Sequence, residues 1–222
     1  MTPTIDGVAV FDLAGTLTRH DTFVPYLLGW VGRHPVRLPG LVAVPPYLIS
    51  YLLDGRDRGR LKSRLLRRFM GGALRAEVDA WTRDFVVATL QTRLCARARA
   101  CIEAHRSRGD RLVLLSASVD LYVPAIGAAL GFDEVICTGI TWQGDRLTGE
   151  LATANRRGAE KAHVVATLRQ RHPAARFSAY GNADSDFPHL ELVDRPCLVN
   201  ASAGLRRRAQ SLGWRLDDWR HP

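Results

Sequence analysis

The stretch that decides the fold is GVAVFDLAGTL, residues 7–17, in which an apolar run ends at Asp12 and a Gly15-Thr16 turn follows. A short continuous apolar run bounded by turn residues is typical of a strand buried on both faces of a parallel sheet. Open α/β sheets carry their functional groups at the carboxyl ends of the strands. The run therefore predicts a buried first strand with Asp12 at the end where a site is expected.

Four further apolar runs predict strands, and helical patterns separate most of them. The strands are expected at 112–115, 134–140, 177–180 and 197–199, and the helices at 97–108, 121–130, 158–171 and 203–212. Residues 141–151, with Gly144-Asp145 at their centre, predict a hairpin attached to the sheet. Strands that alternate with helices indicate an α/β fold built on a doubly wound parallel sheet.

Residues 20–104 interrupt this alternation. They carry helical spacing but no convincing buried strand, and they lie between the first and second predicted strands. We expect a helical cap domain inserted into the sheet domain, which leaves residues 1–19 and 105–222 as the core. A chain of 222 residues suits one core with such an insertion.

Two segments of the insertion differ from the rest in charge. Residues 38–53 carry no charge over 16 residues, and because about 20 are needed to span a bilayer, a transmembrane helix is not expected. Residues 56–68 hold seven basic residues and one acid, with Leu61, Leu65 and Phe69 on one helical face. This second pattern resembles an interfacial amphipathic helix. Apolar stripes usually belong to a core, so we favour the interpretation that both segments pack the insertion against the core.

The composition is that of a basic globular protein, with 31 basic and 22 acidic residues and a net charge of +9. Only two of the basic residues are lysines, and the arginines are spread along the chain. We therefore expect no nucleic-acid partner. The four cysteines form no CxxC pair, so neither a disulfide framework nor a zinc site is expected. No charged region followed by an apolar one opens the chain, so we expect no signal peptide and a cytoplasmic location.

Four polar residues at predicted strand or helix ends are candidate reacting groups. Asp12 with the Thr16 hydroxyl and nearby backbone amides provides what an aspartyl nucleophile attacking phosphorus requires. Ser116 also follows an apolar run, where its hydroxyl could donate to a phosphate oxygen. Lys161 lies near a helix start, where anions are favoured, and could neutralise both the phosphate and Asp12. Each residue taken alone has an ordinary interpretation as a turn residue or a solvated lysine.

Asn182 and Asp186 follow the fourth predicted strand, four positions apart after Gly181. Amide and carboxylate oxygens are the ligands that Mg²⁺ takes in proteins. Loops of this composition are common, so the pair alone predicts a metal site only weakly.

The order and spacing of these groups resemble the haloacid dehalogenase-like (HAD) phosphohydrolase superfamily. VFDLAGTL is similar to its first motif, D-x-D-x-T; LLSAS to its second; RGAEK to its lysine motif; and YGNADSD to its acidic loop, G-D-x-x-x-D. TLTRHDTF and RGAEK are most similar to the phosphoserine-phosphatase-like branch, which also contains phospholipid-type phosphatases. The resemblance covers the whole chain and implies a Rossmann-like core with an inserted helical cap.

The resemblance also implies a role for each candidate residue. Asp12 would be the nucleophile that forms an aspartyl phosphate, Ala14 would occupy the acid/base position, and Lys161 would stabilise charge. The substrate-binding residues would be Thr16, Ser116, Ala117 and Lys161. The ligands of a Mg²⁺ cofactor would be Asp12, the backbone carbonyl of Ala14, Asn182 and Asp186.

Two residues depart from the family pattern. Ala14 replaces the aspartate that serves as general acid and base, and a methyl group can do neither task. General acid and base catalysis contributes about 10²- to 10⁴-fold, so a slow or inactive phosphatase is expected. Asn182 replaces the usual aspartate of the acidic loop, which removes one negative charge beside the metal. The second change is the milder one.

Three interpretations of Ala14 remain open at this point. The first, which we favour, is an engineered Asp-to-Ala change in an active phosphatase, because the surrounding motif is intact. The second is a natural pseudophosphatase that binds a phosphorylated ligand. The third is a phosphonate hydrolase with Lys62 as the amine that forms a Schiff base, since phosphonoacetaldehyde hydrolases resemble this chain in the pattern D-x-A-G-T. Against the third, the basic stripe around Lys62 favours a solvated lysine.

The predicted cap suggests the substrate class. An uncharged segment beside a basic helix fits a phosphorylated amphiphile or lipid better than a small polar phosphate ester. Arg60, Arg64 or Arg67 could attract the anions of a membrane, each contributing about 1 kcal/mol near an anionic surface. We therefore expect peripheral contact with an anionic membrane, at its inner face.

Overall fold

The computed structural model describes residues 6–53 and 57–220. The strands are β1 (Gly7–Phe11), β2 (Arg111–Val119), β3 (Glu134–Thr138), β4 (Ile140–Gln143), β5 (Arg146–Leu151), β6 (Arg176–Gly181), β7 (Arg195–Val199) and β8 (Arg215–Asp217). The helices are α1 (Phe23–Arg33), α2 (Val44–Leu53), α3 (Arg58–Met70), α4 (Arg75–Thr92), α5 (Ala96–Ser107), α6 (Val123–Ala129), α7 (Ala159–Arg171), α8 (Phe187–Leu190) and α9 (Ala203–Ser211), with 3₁₀ segments at Pro35–Ala43 and Asp184–Asp186.

Six strands form one sheet in the order β3-β2-β1-β6-β7-β8, and every neighbouring pair is parallel. This confirms the predicted α/β fold with a doubly wound sheet. β4 and β5 form the predicted antiparallel hairpin. β8 was not predicted, because its three residues, Arg-Leu-Asp, contain a single apolar side chain.

β1 lies in the middle of the sheet and is buried along its whole length. Its alternate side chains enter two separate hydrophobic clusters, with Ala9 and Phe11 in one and Val8 and Val10 in the other. Both faces are covered because a parallel sheet carries helices on each side. The continuous apolar sequence of β1 follows from this double burial.

Between β1 and β2 the chain forms α1 to α5. Trp30 of α1 is buried and donates from Nε1 to the carbonyl of Phe69 at 2.9 Å, which holds α1 to α3. The expected boundary between residues 104 and 105 falls inside α5. The buried side chain of His105 in this helix bonds to the Tyr180 hydroxyl of β6 at 2.7 Å, so α5 belongs to the layer that covers the sheet. The division into core and cap remains a prediction.

The packing interpretation of the two unusual segments is wrong for the first and correct for most of the second. The helical segment Pro35–Leu53 has 19 residues, and its most apolar stretch of 18 residues has a mean hydropathy of 1.4. Only 6% of that stretch is buried. Its length and composition would allow it to cross a membrane, so the expectation of no transmembrane helix, which was drawn from its 16 uncharged residues, stays a prediction. α2 contains no buried residue.

α3, in contrast, buries one face against the hairpin strand β5 and against α1 and α2. Its buried residues include Lys62, Leu66 and Phe69, whereas Leu61 and Leu65 are half-buried. The apolar face is therefore rotated by about one residue from the predicted one. Arg56, the first residue of the predicted basic run, lies outside the described residues.

Candidate active site

Asp12 directly follows β1, and its backbone N–H donates to the carbonyl of Tyr180 at 3.0 Å, so the end of β6 holds it in place. The residue is only 6% exposed. Its Oδ1 accepts from Lys161 Nζ at 2.7 Å, and its Oδ2 accepts from Thr16 Oγ1 at 3.1 Å. Both carboxylate oxygens are thus oriented by neighbouring donors.

The turn after Asp12 requires glycine at position 15. Gly15 has φ +85°, which favours glycine, and an added Cβ would collide with the side-chain amide of Asn182. Asn200, at the end of β7, donates from Nδ2 to the carbonyls of Gly15 and Thr16 at 2.9 and 3.3 Å. The turn is therefore fixed against two strand ends that lie far from it in sequence.

Lys161 lies in the first turn of α7 and bridges two carboxylates. Its Nζ is 2.7 Å from Asp12 Oδ1 and 2.7 Å from Asp186 Oδ1, and all three side chains are buried. Asp186 Oδ2 accepts the backbone N–H groups of Asn182 and Ala183, each at 3.0 Å. With both aspartates ionised, the three groups carry a net charge of −1.

Burial and these contacts shift the pKa values of the three groups in different directions. Burial raises the pKa of Asp12 to about 6, although Lys161 opposes the shift. Burial acts in the same direction on Asp186, but Lys161, His189 and the backbone N–H of Ala183 outweigh it and hold that pKa at about 2. Burial would lower the pKa of Lys161, yet its two carboxylate partners raise it. Lys161 is therefore a permanent cation at neutral pH.

The serine segment lies where β2 leaves its regular pairing. The register between β2 and β3 is interrupted between Leu115 and Val119, so the segment of residues 116–118 lies in the gap in the ladder. Ser116 does not end the strand as expected, since β2 continues to Val119. Ser116 Oγ accepts the backbone N–H of Ser118 at 3.1 Å.

A pocket of about 390 Å³ collects most of the predicted site residues. Seven of them line it: Asp12, Ala14, Ser116, Ala117, Lys161, Asn182 and Asp186. Thr16 does not line it and contacts Asp12 from the fully buried side. The structure thus brings the predicted residues together around one space.

Sequence reasoning missed much of the pocket wall. Lys62 was named only as the amine of the phosphonate-hydrolase alternative. The lining residues that were left out as site residues are Asp21, Phe23, Val24, Tyr51, Arg58, Leu61, Leu65, Ser118, Asn155, Arg157, Ala183 and Ser185. The missed residues of α3 belong to the basic run and to the apolar face described in the sequence analysis. Their helical spacing could have indicated that they line one wall of the pocket together. Asn155 had no such signal.

Lys62 is a buried pocket residue, so its interpretation as a solvated lysine is wrong. It is 9% exposed, and its Nζ donates to the carbonyl of Ala117 and to Asn155 Oδ1, the latter at 2.7 Å. Burial lowers the pKa of Lys62 to about 8. This amine is therefore more easily deprotonated than an ordinary lysine.

The residues around Asp12 fit a Mg²⁺ ion in donor chemistry and charge. Carboxylate and amide oxygens of Asp12 and Asn182 face one space, where the net charge of −1 favours a cation. Asp186 adds a second carboxylate to the same space, and its role as a ligand stays a prediction, because both of its oxygens accept hydrogen bonds here, as both oxygens of Asp12 do. Within residues 6–53 and 57–220, no three His, Cys, Asp or Glu side chains cluster as a metal site, so backbone oxygen and water would complete the coordination.

The fold and this site define a class: a doubly wound α/β protein with a buried aspartate and lysine at the carboxyl ends of its strands. The family described as haloacid dehalogenase-like hydrolase matches residues 9–191, and the chain belongs to that family. A relative named as a phosphoserine phosphatase supports the resemblance to the phosphoserine-phosphatase-like branch.

Three comparisons illustrate this membership. Protein CicA of Caulobacter vibrioides is 34% identical over 189 residues, which covers 84% of this chain and 83% of CicA. Phosphoserine phosphatase SerB1 of Mycobacterium tuberculosis is 25% identical over 228 residues, covering 98% of this chain and 73% of SerB1. A substrate-bound phosphoserine phosphatase structure has a TM-score of 0.69 at 14% identity, covering 99% of this chain and 96% of its own, and shows the shared fold.

Proposed function

We propose that this protein is a Mg²⁺-dependent phosphomonoester hydrolase that acts through an aspartyl phosphate on Asp12. The observation that carries the proposal is the buried Asp12 carboxylate at the pocket, 2.7 Å from the Lys161 ammonium. Membership in a hydrolase family with relatives named as phosphatases supports phosphoester hydrolysis in general.

Asp12 would attack phosphorus with one carboxylate oxygen, forming the O–P bond of the aspartyl phosphate as the bond to the ester oxygen breaks. Lys161 would offset the charge of the phosphoryl group, and Ser116 with the backbone at Ala117 would donate to its oxygens. When bound, Mg²⁺ would supply further charge neutralisation. Fixed donors and charges supply most of the catalysis in phosphoryl transfer.

Ala14 limits this chemistry at two points. The leaving alkoxide needs a proton, and the water that hydrolyses the aspartyl phosphate must lose one. Ala14 lines the pocket with Asp12 but offers only a methyl group. We therefore expect slow turnover, and the three interpretations of Ala14 described above remain hypotheses.

The pocket wall supports an amphiphilic phosphate ester as the substrate. Four apolar side chains from the insertion line the pocket: Phe23, Val24, Leu61 and Leu65. Tyr51, from the exposed helix α2, lines it as well. A polar phosphate could thus reach Asp12 while an attached chain contacts this wall. The proposed substrate is a phosphorylated small molecule or lipid with an apolar portion.

The experiment that tests the proposal is an Ala14→Asp substitution with phosphate release measured against an aryl phosphate and a panel of lipid and polar phosphomonoesters. Activity should be Mg²⁺-dependent and rise about 10²- to 10⁴-fold in the variant, because a general acid and base is restored. The matched control is Asp12→Asn in the Ala14→Asp background, which should be inactive.

Each of two results would contradict the proposal. Activity that survives in the Asp12→Asn control would place the nucleophile elsewhere. The pseudophosphatase would be favoured if neither the native protein nor the Ala14→Asp variant released phosphate from any ester of the panel while a phosphate analogue still bound to the pocket. If the gain is larger for long-chain esters than for phosphoserine, the substrate class is supported.

A second candidate function is phosphonate hydrolysis, which the position of Lys62 favours. A lysine with its pKa lowered to about 8 lines the same pocket as Asp12. Its amine would condense with the aldehyde of a 2-oxoalkyl phosphonate, forming an imine and releasing water. Borohydride reduction should then add a stable mass to the peptide containing Lys62. A Lys62→Met variant without the added mass would support the assignment, and an unmodified native peptide would reject it.

A further inference from the structure

The exposed apolar side chains of this protein are concentrated in one segment. Among the described residues, eight of the thirteen large exposed apolar side chains belong to Pro35–Leu53: Val36, Leu38, Leu41, Val42, Leu48, Ile49, Leu52 and Leu53. Val42 is 80% exposed and Leu53 is 79% exposed. Monomeric proteins rarely leave a contiguous apolar surface of this kind open to water.

This segment, the apolar strap Pro35–Leu53, is fixed on the insertion by a few polar and close contacts. Arg37 donates to the carbonyl of Gly71 at 3.1 Å, and Arg64 of α3 donates to Ser50 Oγ. Gly40 is buried, and a Cβ there would lie 3.0 Å from the ring of Phe69. These contacts hold the strap along the outside of the insertion, with most of its side chains facing outward.

The surroundings of the strap are basic. Arg37 is the only charged residue between 35 and 53, and it lines a surface depression together with Arg68 of α3. α3 carries six basic residues and no acidic one. Of these, Arg64 donates to Ser50 and Arg68 lies beside Gly40 of the strap, whereas Lys62 faces the pocket. An outward apolar surface bordered by arginines is the pattern of an interfacial membrane segment.

We propose that the apolar strap docks on the surface of an anionic lipid bilayer. Its leucine, isoleucine and valine side chains enter the boundary between headgroups and acyl chains, and Arg37 and Arg68 contact lipid phosphates. Charge decides between this occupant and a second copy of the chain. A second copy would bring another +9 charge and the same arginines, whereas an anionic bilayer supplies the opposite charge.

Docking would also bring the pocket close to the bilayer. Tyr51 belongs to the strap and lines the pocket that contains Asp12. A lipid-type substrate could therefore enter from the membrane side. The docking proposal does not depend on the proposed hydrolysis, since binding to vesicles is measured without turnover. Location at the inner face of the membrane remains a prediction from the sequence.

The test is co-sedimentation of the full chain with phosphatidylcholine vesicles that contain or lack phosphatidylglycerol, at low and high salt. The native protein should bind anionic vesicles several-fold more tightly at low salt. The double variant Ile49→Asp/Leu52→Asp should bind at least about tenfold more weakly, because two apolar side chains can no longer enter the bilayer. Arg68→Gln should bind about fivefold more weakly.

The matched control is Val87→Asp/Leu212→Asp, which changes side chains 55% and 48% exposed elsewhere, against 58% and 61% for Ile49 and Leu52. The control should bind vesicles as tightly as the native protein does, and every variant should have the same Tm as the native protein. Equal loss in the control, or no preference for anionic vesicles, would overturn the proposal. A dimer in sedimentation velocity that Ile49→Asp/Leu52→Asp dissociates, without vesicle binding, would assign the strap to self-association instead.

Discussion

Removal of the Lys161 charge tests the electrostatic account of the site most directly. In Lys161→Met, Asp12 and Asp186 lose a shared cation that lies 2.7 Å from each carboxylate. The lysine side chain is 3% exposed, so water cannot replace it. Breaking a buried ion pair costs about 3–5 kcal/mol, and we expect Lys161→Met to lower the free energy of unfolding by that amount near pH 8.

The loss of unfolding free energy in Lys161→Met should become smaller as the pH falls, because the aspartates left without a cation take up protons. Without Lys161, the pKa of Asp12 rises further above its native value of about 6. When the pKa of a carboxyl group is higher in the folded than in the unfolded state, the folded protein becomes more stable as the pH falls through the folded-state pKa. Each pH unit is worth about 1.4 kcal/mol, so the difference between the variant and the native protein should narrow by about 2 kcal/mol from pH 8 to 6.

The assay is urea unfolding at pH 8 and pH 6 in EDTA, with Lys62→Met as the matched control. Lys62 is also buried, but its partners are the carbonyl of Ala117 and the amide oxygen of Asn155. Its loss leaves no buried carboxylate, and because its own pKa is about 8, its effect on the unfolding free energy should change by only about 0.4 kcal/mol between the two pH values. The reasoning would be refuted if Lys161→Met lowered the unfolding free energy by less than about 1 kcal/mol. It would also be refuted if both variants came closer to the native protein in stability by the same amount between pH 8 and pH 6.

Two further predictions concern single side chains near Lys161. Asn182→Asp adds a carboxylate to the proposed metal site and should tighten Mg²⁺ binding roughly tenfold, measured as the Mg²⁺-dependent rise in Tm, with Asn182→Ser as the control that should weaken it. His189 is buried, its Nδ1 has no hydrogen-bond partner, and burial together with the Lys161 charge lowers its pKa to about 3. Because the unfolded state binds that proton more readily, His189 should lower native stability by about 1.4 kcal/mol per unit as the pH drops below about 6.5. Asp12 contributes the opposite slope to both proteins, so the difference in unfolding free energy between the native protein and His189→Leu, measured in urea, should show the His189 slope.

The sequence was sufficient for the fold wherever burial left a clear pattern. β1 is apolar along its length because both of its faces are covered, and the alternation of such runs with helices predicted the parallel sheet. β8 could not be predicted, since an edge strand of three residues needs no apolar run. Long-range pairing, rather than local sequence, makes Arg215–Asp217 a strand.

The site residues that lie at the ends of strands or at the start of α7 could be predicted from the sequence. The residues that the insertion adds to the pocket wall were harder to predict. Asp12, Ser116, Lys161 and Asp186 were placed by motif order, and the structure brings them to one pocket. Lys62 was assigned to the solvated face because its basic neighbours dominate the local composition. Its burial depends on how α3 is rotated against Ala117, which a single helix sequence does not determine.

The tie between Asn200 and the turn after Asp12 has a consequence for how the protein becomes functional. Asn200 donates to Gly15, 185 positions earlier, and accepts the backbone N–H of Trp219 at 2.7 Å. Synthesis proceeds from the N-terminus, so a nascent chain presents Asp12 and the apolar strap long before these partners exist. The support of the turn beside Asp12 is completed only when residues 200–219 have been synthesised. A protease cut between Asn200 and Trp219 would therefore weaken the support of the turn that follows Asp12.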